Sequence, residues 1–481
     1  MSGLGAAEYL SKAGVHNILL LEARDYIGGR VHAEAFGSSL VQEGVVEVGA
    51  NWVHGVSERN PVWQLAQRAN LSRRLVPGSC ANVSGYKLFD SDGVQPADAK
   101  ELAMQADRMY ACINATAQHI SKDESVAVAF EKCGWVGKDG LHYAMEWELT
   151  SANDMLSPEK LSLMDMLPDP TYSWMGADDM FIYDQRKLGY SSVAHEVLRS
   201  AGLSLGDPRL ILGTAVESID TSSCDDVRVT VADGRTFRSR YVISTLPLGV
   251  MQARARSIFQ PALPPSQIAG LAAFTMGNFT KIFIQFPHQF WSSRGVQWIA
   301  GAKNPNDAME FHDLGNMVPG FNTLFTYVVG DASLAWEALS DVEASKALVE
   351  RLQLVFPNVA IGEPSAFFMT RHGKDPFMRG AYSASSMSAT EDMFQAMVAP
   401  VTSCGKPRLF FAGEHTCAAF KGFLHGAYLS GLDAATDILS AMVLKPAALP
   451  IGWTCRSVEE GYAWRGKRHS TMTSSEAGVI V

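Results

Sequence analysis

Hydrophobic positions along the chain switch between helical and strand spacing, and the switches divide it into elements. Small and apolar residues at Leu4, Ala6, Ala7 and Leu10 recur with helical spacing, and Gly14 ends the helix they predict. Residues 18–21 then form a short buried strand that runs into Glu22. Farther on, 209–219, 227–231 and 241–244 read as strands, with Ala232-Asp233-Gly234 as the turn between two of them. Residues 279–286 make an apolar strand interrupted by Lys281, and 342–355 an amphipathic helix. Near the end, 408–411 is a strand, Ala412-Gly413-Glu414 a turn and 426–442 a helix.

The order of these elements predicts an α/β protein of two interleaved units. Residues 1–78, 189–255 and 400–444 read as one discontinuous, Rossmann-like (three-layer) nucleotide-binding domain. Residues 79–188 and 256–399 read as an α+β substrate-binding domain, and the polar stretch 454–481 as a flexible tail. A chain of 481 residues exceeds one ordinary core, and 47% hydrophobic against 19% charged residues supplies material for several. Met1-Ser2-Gly3 reads as the last half of a G-x-G-x-x-G turn, so the first strand and the first two glycines of such a domain are expected to be missing. Glu22 stands where the acidic residue about 20 positions beyond those glycines binds a ribose hydroxyl.

Charge and cysteines narrow the chemistry. Forty basic against fifty acidic residues, a net charge of −10, argue against a nucleic-acid partner and favour cationic ligands. No apolar run reaches the roughly 18 residues of a membrane span; the nearest, 438–453, is broken by Lys445, Pro446 and Pro450. The seven cysteines contain no C-x-x-C pair, which disfavours a metal site, and they read mostly as buried thiols, although an odd count does not exclude a disulfide. Sequons at Asn70, Asn82, Asn114 and Asn278 leave both a cytoplasmic and a secreted location open for a soluble chain.

Four motifs in order carry a specific resemblance: Glu22-Ala23 with Gly28-Gly29-Arg30, the run Glu47-Val48-Gly49-Ala50-Asn51-Trp52, FFAGEHT at 410–416, and GAYLSGLDAA at 426–435. Together the chain resembles the flavin amine oxidases, and among them the polyamine oxidases. The resemblance implies non-covalently bound FAD, since Ala381 stands where monoamine oxidases carry the cysteine that bonds the flavin. It implies that Gly3, Glu22, Arg30, Val216 and Glu414 bind FAD and that Gly49, Ala50, Asn51 and Trp52 run beside the flavin ring. It also implies hydride transfer from a polyamine to flavin N5, with molecular oxygen as the second substrate and an aldehyde, a shorter amine and hydrogen peroxide as products. Physically, the Gly28-Gly29 turn lets backbone approach a pyrophosphate, and Arg30 is suited to pairing it bidentately.

A lysine inside an apolar strand is costly to bury, and on composition alone Lys281 reads as an edge or snorkelling lysine. The resemblance instead implies a catalytic Lys281 that holds a water at the flavin, with a lowered pKa. Tyr382 and Tyr428 match the two aromatic positions flanking the substrate amine, although either alone would be ordinary core. His54 occupies a substrate-tunnel position, where it would give pH dependence between roughly 6 and 8. Glu148, Asp178 and Asp179 are acidic groups suited either to attracting a polycation or to forming a solvated rim. His372 replaces a tryptophan of many relatives. Two alternatives remain at this stage: a monoamine or L-amino-acid oxidase, and a non-catalytic truncated homologue lacking FAD. Oligomeric state is not legible.

Overall fold

In a computed structural model of the chain, residues 1–76, 86–166, 170–303, 309–387, 389–444 and 454–456 are described, with positions 307, 446 and 449. Asn82, Cys80 and all but three residues of the expected tail lie outside them.

The first of the two expected regions is built on close helix packing. The helix Ser2–Lys12 lies against the long helix Leu424–Ala441, and the approach depends on glycine: a Cβ on Gly431 would overlap the Ser2 carbonyl, and one on Gly5 would sit 2.8 Å from the Tyr428 carbonyl. One buried core joins these helices to Pro61–Arg68 and Ser192–Ser200, combining residues from 4–71, 175–210 and 410–455. Two parallel pairings lie beside it, Leu20–Leu21 with Leu210–Ile211, and Val242–Ser244 with Lys406–Phe411. Among the described residues, backbone hydrogen bonds do not join these pairings into one sheet. The expected strand 209–219 is two strands, Leu210–Ile211 and Val216–Asp220. Gly213 breaks it at φ +62, turning its N–H to the Arg24 carbonyl instead of continuing the ladder.

The second region hangs on a six-stranded sheet in the order 366–369, 279–285, 323–329, 310–313, 297–300 and 87–89. Its register decides what meets what. Lys281 pairs with Tyr327, and one step along the next ladder sets Glu310 beside Tyr327, so period-two alternation puts all three on one face in a row across adjacent strands. At about 4.8 Å per strand the row spans about 10 Å. The opposite face carries Ile282, Ile284 and Trp298 into a separate aliphatic and aromatic core under the helix Asp341–Val355. That helix opens with a Ser340–Glu343 capping box.

The reading of the cysteines as thiols is overturned for six of them. Cys112–Cys133, Cys224–Cys404 and Cys417–Cys455 are disulfides, and the second and third tie segments 180 and 38 residues apart. The sequence hides this because every partner is distant, so no spacing motif forms. Such bonds persist in oxidising compartments. Titrating the denatured, unreduced chain should therefore give one reactive thiol, rising to seven after reduction; seven without reductant would contradict the pairing.

Candidate functional site

A cavity of about 1830 Å³ is lined by residues of both regions. Gly3, Glu22, Arg30, Gly49, Ala50, Asn51, Trp52, His54, Val216, Lys281, Tyr382 and Glu414 all line it. These residues, distant in sequence, therefore line one cavity.

The end of the cavity expected to hold a nucleotide starts at Glu22, whose carboxylate accepts the Arg24 N–H at 2.9 Å and whose pKa is raised by burial. Gly28 and Gly29 follow at φ +109 and +62, values that hold the backbone open beneath Arg30. A Cβ on Gly49 would overlap the Arg30 carbonyl, so Gly49 to Trp52 can follow this turn closely only with glycine there. Arg30 donates to the Ala381 carbonyl at 2.7 Å and to Glu414 at 2.9 Å, which leaves further guanidinium N–H groups beside the cavity.

Glu414 lines the cavity, and its carboxylate is engaged by neighbouring donors. One oxygen accepts from Arg30, and the other from the Ser383 hydroxyl at 2.5 Å, the Gly422 N–H at 2.7 Å and the Ser383 N–H at 3.4 Å. Those donors use nearly all its acceptor capacity. Burial opposes ionisation, but Arg30, His415 and the Ser383 hydrogen bond outweigh it and hold the carboxyl below its usual range. Glu414 thus joins Arg30 to the two segments that carry Tyr382 and Phe423.

Tyr428 stands apart. It is 3% exposed, is not among the cavity-lining residues, and donates to Glu8 at 2.7 Å across the interface between the two long helices. The aromatic residue that reaches the cavity from this segment is Phe423, in the turn just before the helix. Its ring meets His54 edge-on at 5.1 Å and stacks on His425 at 5.0 Å, while a Cβ on the adjacent Gly422 would lie 3.2 Å from the Tyr382 ring. Tyr428 is singled out by the resemblance of its motif GAYLSGLDAA; Phe423, just ahead of that motif, carries only the signal of an aromatic after a glycine.

Lys281 is 4% exposed and is not a snorkelling lysine. Its Nζ donates to the Glu47 carbonyl at 3.0 Å and the Gly49 carbonyl at 2.5 Å, and lies over the Phe325 and Trp52 rings at 5.1 and 5.7 Å. Burial, only partly offset by Glu47, brings its pKa down to about 7. His372 bonds the intervening Val48 carbonyl at 2.9 Å, so three successive carbonyls of this segment are each engaged by a side chain. Burial lowers the His372 pKa to about 4, which keeps it neutral.

Beyond Lys281 the cavity turns acidic. Tyr382 neighbours Phe279 at 6.3 Å, and Phe279 stacks on Tyr327 at 4.5 Å. Tyr327 donates to Glu310, which also accepts Gln297 at 2.6 Å and pairs with His312 at 3.0 Å. Although burial opposes it, His312 and these donors hold Glu310 ionised. Glu148 faces the same end; burial first, and Glu310 second, raise its carboxyl well above the usual range, and one of its oxygens is buried with no partner. The reading of a solvated rim is thus overturned for Glu148, at 2% exposure, and for Asp179, at 0%. Asp179 instead pairs with His54 at 3.1 Å and accepts the Gly55 N–H. Asp178 does not line the cavity. Sequence reasoning missed Glu310, Tyr327 and Phe423.

The donor set and volume fit a dinucleotide: a carboxylate at one end, a glycine turn with a guanidinium in the middle, and more space than the 300–1,000 Å³ of a typical small-ligand pocket. Among the described residues no cluster suited to a metal ion occurs, and no helix is long and apolar enough to cross a membrane.

Comparison with known proteins agrees with this geometry. The sequence profile of the family described as flavin containing amine oxidoreductase matches residues 1–439. Polyamine oxidase 1 of Zea mays is 30% identical over 92% of this chain and 89% of its own length. Polyamine oxidase 7 of Oryza sativa subsp. japonica is 30% identical over 90% and 92%. Among solved structures, a redesigned triple mutant of putrescine oxidase superposes with a TM-score of 0.68 at 17% identity, covering 91% of this chain and 96% of that one, and so shares the fold.

Removing Arg30 leaves the Glu414 carboxylate buried without its counter-charge. Arg30→Met should lower stability by about 3–5 kcal/mol in a denaturant titration and reduce flavin content on purification. The native Glu414 pKa is depressed, so its stabilisation is present above roughly pH 4.3, the unfolded value, and is lost as pH falls through the native one. Unchanged stability at neutral pH would refute the organising role of this pair.

Proposed function

The chain belongs to the flavin-containing amine oxidoreductases, with FAD as cofactor and an amine and oxygen as substrates, and on that premise we propose that it oxidises polyamines. The observation that carries this reading is the row Lys281, Tyr327 and Glu310, with Glu148 opposite, which sets a cation-accepting end about 10 Å from the proposed reacting end. An amine with one nitrogen offers that end no second cation. A polyamine fills it with a second ammonium while another nitrogen lies near Lys281.

FAD, when bound, supplies the two-electron acceptor that oxygen regenerates. The balance is one secondary amine, one oxygen molecule and one water consumed, giving an aldehyde, a shorter amine and hydrogen peroxide.

The chain's own residues handle binding and protons. Tyr382 and Phe423 form the aromatic slot, which replaces the expected pair of Tyr382 and Tyr428. Two acceptor carbonyls take two N–H bonds of Lys281, so its neutral form keeps a lone pair and can accept a proton at Nζ. A substrate must lose its ammonium proton before its nitrogen can give up electrons, and Lys281 near pH 7 is suited to take it. His54, oriented by Asp179 and packed on Phe423, closes the side of the slot. At the far end, the proton that burial keeps on Glu148 leaves when an ammonium arrives. Ala381, whose carbonyl accepts from Arg30, is a cavity residue without a nucleophile, consistent with non-covalent FAD.

Peroxide release with spermine, spermidine, N-acetylspermine and tyramine tests the reading. Polyamine turnover should exceed tyramine turnover, and Glu148→Gln should raise the polyamine KM about 10- to 100-fold, the worth of one charge-assisted hydrogen bond. Peroxide from tyramine alone would contradict it. For Lys281, kcat/KM should rise through about pH 7 in the wild type, and Lys281→Met should lose that limb with a 10²- to 10⁴-fold lower rate. A Met variant at full rate would remove Lys281 from the mechanism.

A further inference from the structure

Four sequons occur in the chain, and the fold treats them differently. Asn70-Leu71-Ser72 stands on the turn that ends the helix Pro61–Arg68. Asn70 takes φ +48, its N–H bonds the Gln67 carbonyl at 2.9 Å, and the Leu71 N–H bonds the Ala66 carbonyl at 3.2 Å. This is a left-handed helix cap, a conformation that asparagine tolerates better than most residues. Leu71 is buried, while the Asn70 and Ser72 side chains on either side of it are exposed. The backbone beneath them is pinned: Arg186 donates to the Ala69 and Asn70 carbonyls at 3.0 and 2.9 Å, and Asp184 accepts the Ser72 N–H at 2.8 Å. Neither Asn70 nor Ser72 lines the cavity.

Two other sequons are closed to a bulky substituent. Asn114 lies inside the helix Ala99–Ala117, lines the cavity and has its amide oxygen buried, and the Thr116 hydroxyl is spent on the Cys112 carbonyl at 2.9 Å. Asn278 is packed so that a Cβ on Gly373 would sit 2.8 Å from its amide oxygen. Its Thr280 is fully buried, with the hydroxyl bonded to Ser333 at 2.6 Å. Asn82 lies outside the described residues. The compartment in which sequons are used is indicated independently by the three disulfides, which persist where conditions are oxidising.

We propose that Asn70 carries an N-linked oligosaccharide and that Asn114 and Asn278 do not. The donor is a lipid diphosphate-linked oligosaccharide, supplied with its transferase by the secretory route. The Asn70 amide nitrogen forms a bond to the anomeric carbon of the sugar. The bond from that carbon to the diphosphate oxygen breaks, one amide proton is released, and the lipid diphosphate leaves; nothing is oxidised or reduced. Ser72 supplies the hydroxyl residue that the motif requires two positions on. A sugar at Asn70 projects into solvent from a rigid turn, so it neither enters the cavity nor disturbs the helix cap. A sugar at Asn114 would compete with the ligand for the cavity, and one at Asn278 would meet the backbone at Gly373.

Peptide mass spectrometry of the full chain, purified from its own organism and treated with a peptide N-glycosidase in heavy-oxygen water, tests this. Asn70 should be converted to aspartate carrying the heavy label, the mark of a released glycan, while Asn114 and Asn278 remain asparagine. An unlabelled Asn70 overturns the proposal, and so does a label at Asn114 or Asn278. Two variants, directed with the wild type into the secretory pathway of a eukaryotic host, separate the sugar from the turn. Ser72→Ala removes the sequon and leaves the cap residue in place, and Asn70→Gly removes it while keeping a residue suited to positive φ. Both should lose the electrophoretic shift that glycosidase removes from this site in the wild type, and both should melt with the deglycosylated wild type. A Ser72→Ala chain that keeps the full shift overturns the assignment to Asn70.

Discussion

The buried carboxylate of Glu414 is the constraint on which the site depends. It gathers Arg30 from the glycine turn, Ser383 from the strand beyond Tyr382, and the Gly422 N–H from the turn ahead of Phe423. Without that junction, Arg30 would still reach the Ala381 carbonyl beside Tyr382, but the Gly422 turn would lose the acceptor it shares with both segments. A buried anion is unfavourable by itself, and Arg30, the Ser383 hydroxyl and two backbone N–H groups together offset the loss of water. Replacing it by an apolar side chain would leave Arg30 and two backbone donors without their acceptor.

The same logic is repeated along the cavity. Lys281, Glu310 and Glu148 are all ionisable groups withdrawn from water. Glu310 has its compensation built in through His312, Tyr327 and Gln297; Glu148, which lines the cavity, has one buried oxygen without a hydrogen-bond partner. That asymmetry is what a cation-accepting end requires, since one carboxylate is kept charged while the other exchanges a proton for the ligand. The rigid sheet face fixes the separation between this end and Lys281, so the proposed selection by length is a property of strand register.

How much of this the chain discloses depends on whether the signal is local. Glu22, Gly28-Gly29-Arg30 and Glu414 are legible because a turn followed by a helix or strand demands particular residues at adjacent positions. The helix at Leu424–Ala441 is placed within two residues from periodicity alone. What periodicity does not provide is the direction a helix face points after packing: Tyr428 belongs to the face that meets Ser2–Lys12, and Phe423 lies one turn outside the pattern. Lys281 is visible as an anomaly, but its row with Tyr327 and Glu310 exists only once three strands are in register. The disulfides fail for the same reason, as does Glu310, an acid within a short strand with nothing nearby in sequence to mark it. Glu148 was visible as an acid and invisible as a buried one.

The central claim is that an amine held between the aromatic slot and the acidic end delivers electrons to the bound flavin. The most direct measurement is anaerobic mixing of the purified holoenzyme with spermidine while the visible flavin absorbance is followed. The account predicts rapid loss of that absorbance in a single turnover, restored when oxygen is admitted, and much slower loss with a monoamine of similar length. A flavin that stays oxidised with every polyamine, or bleaches equally fast with the monoamine, would contradict it.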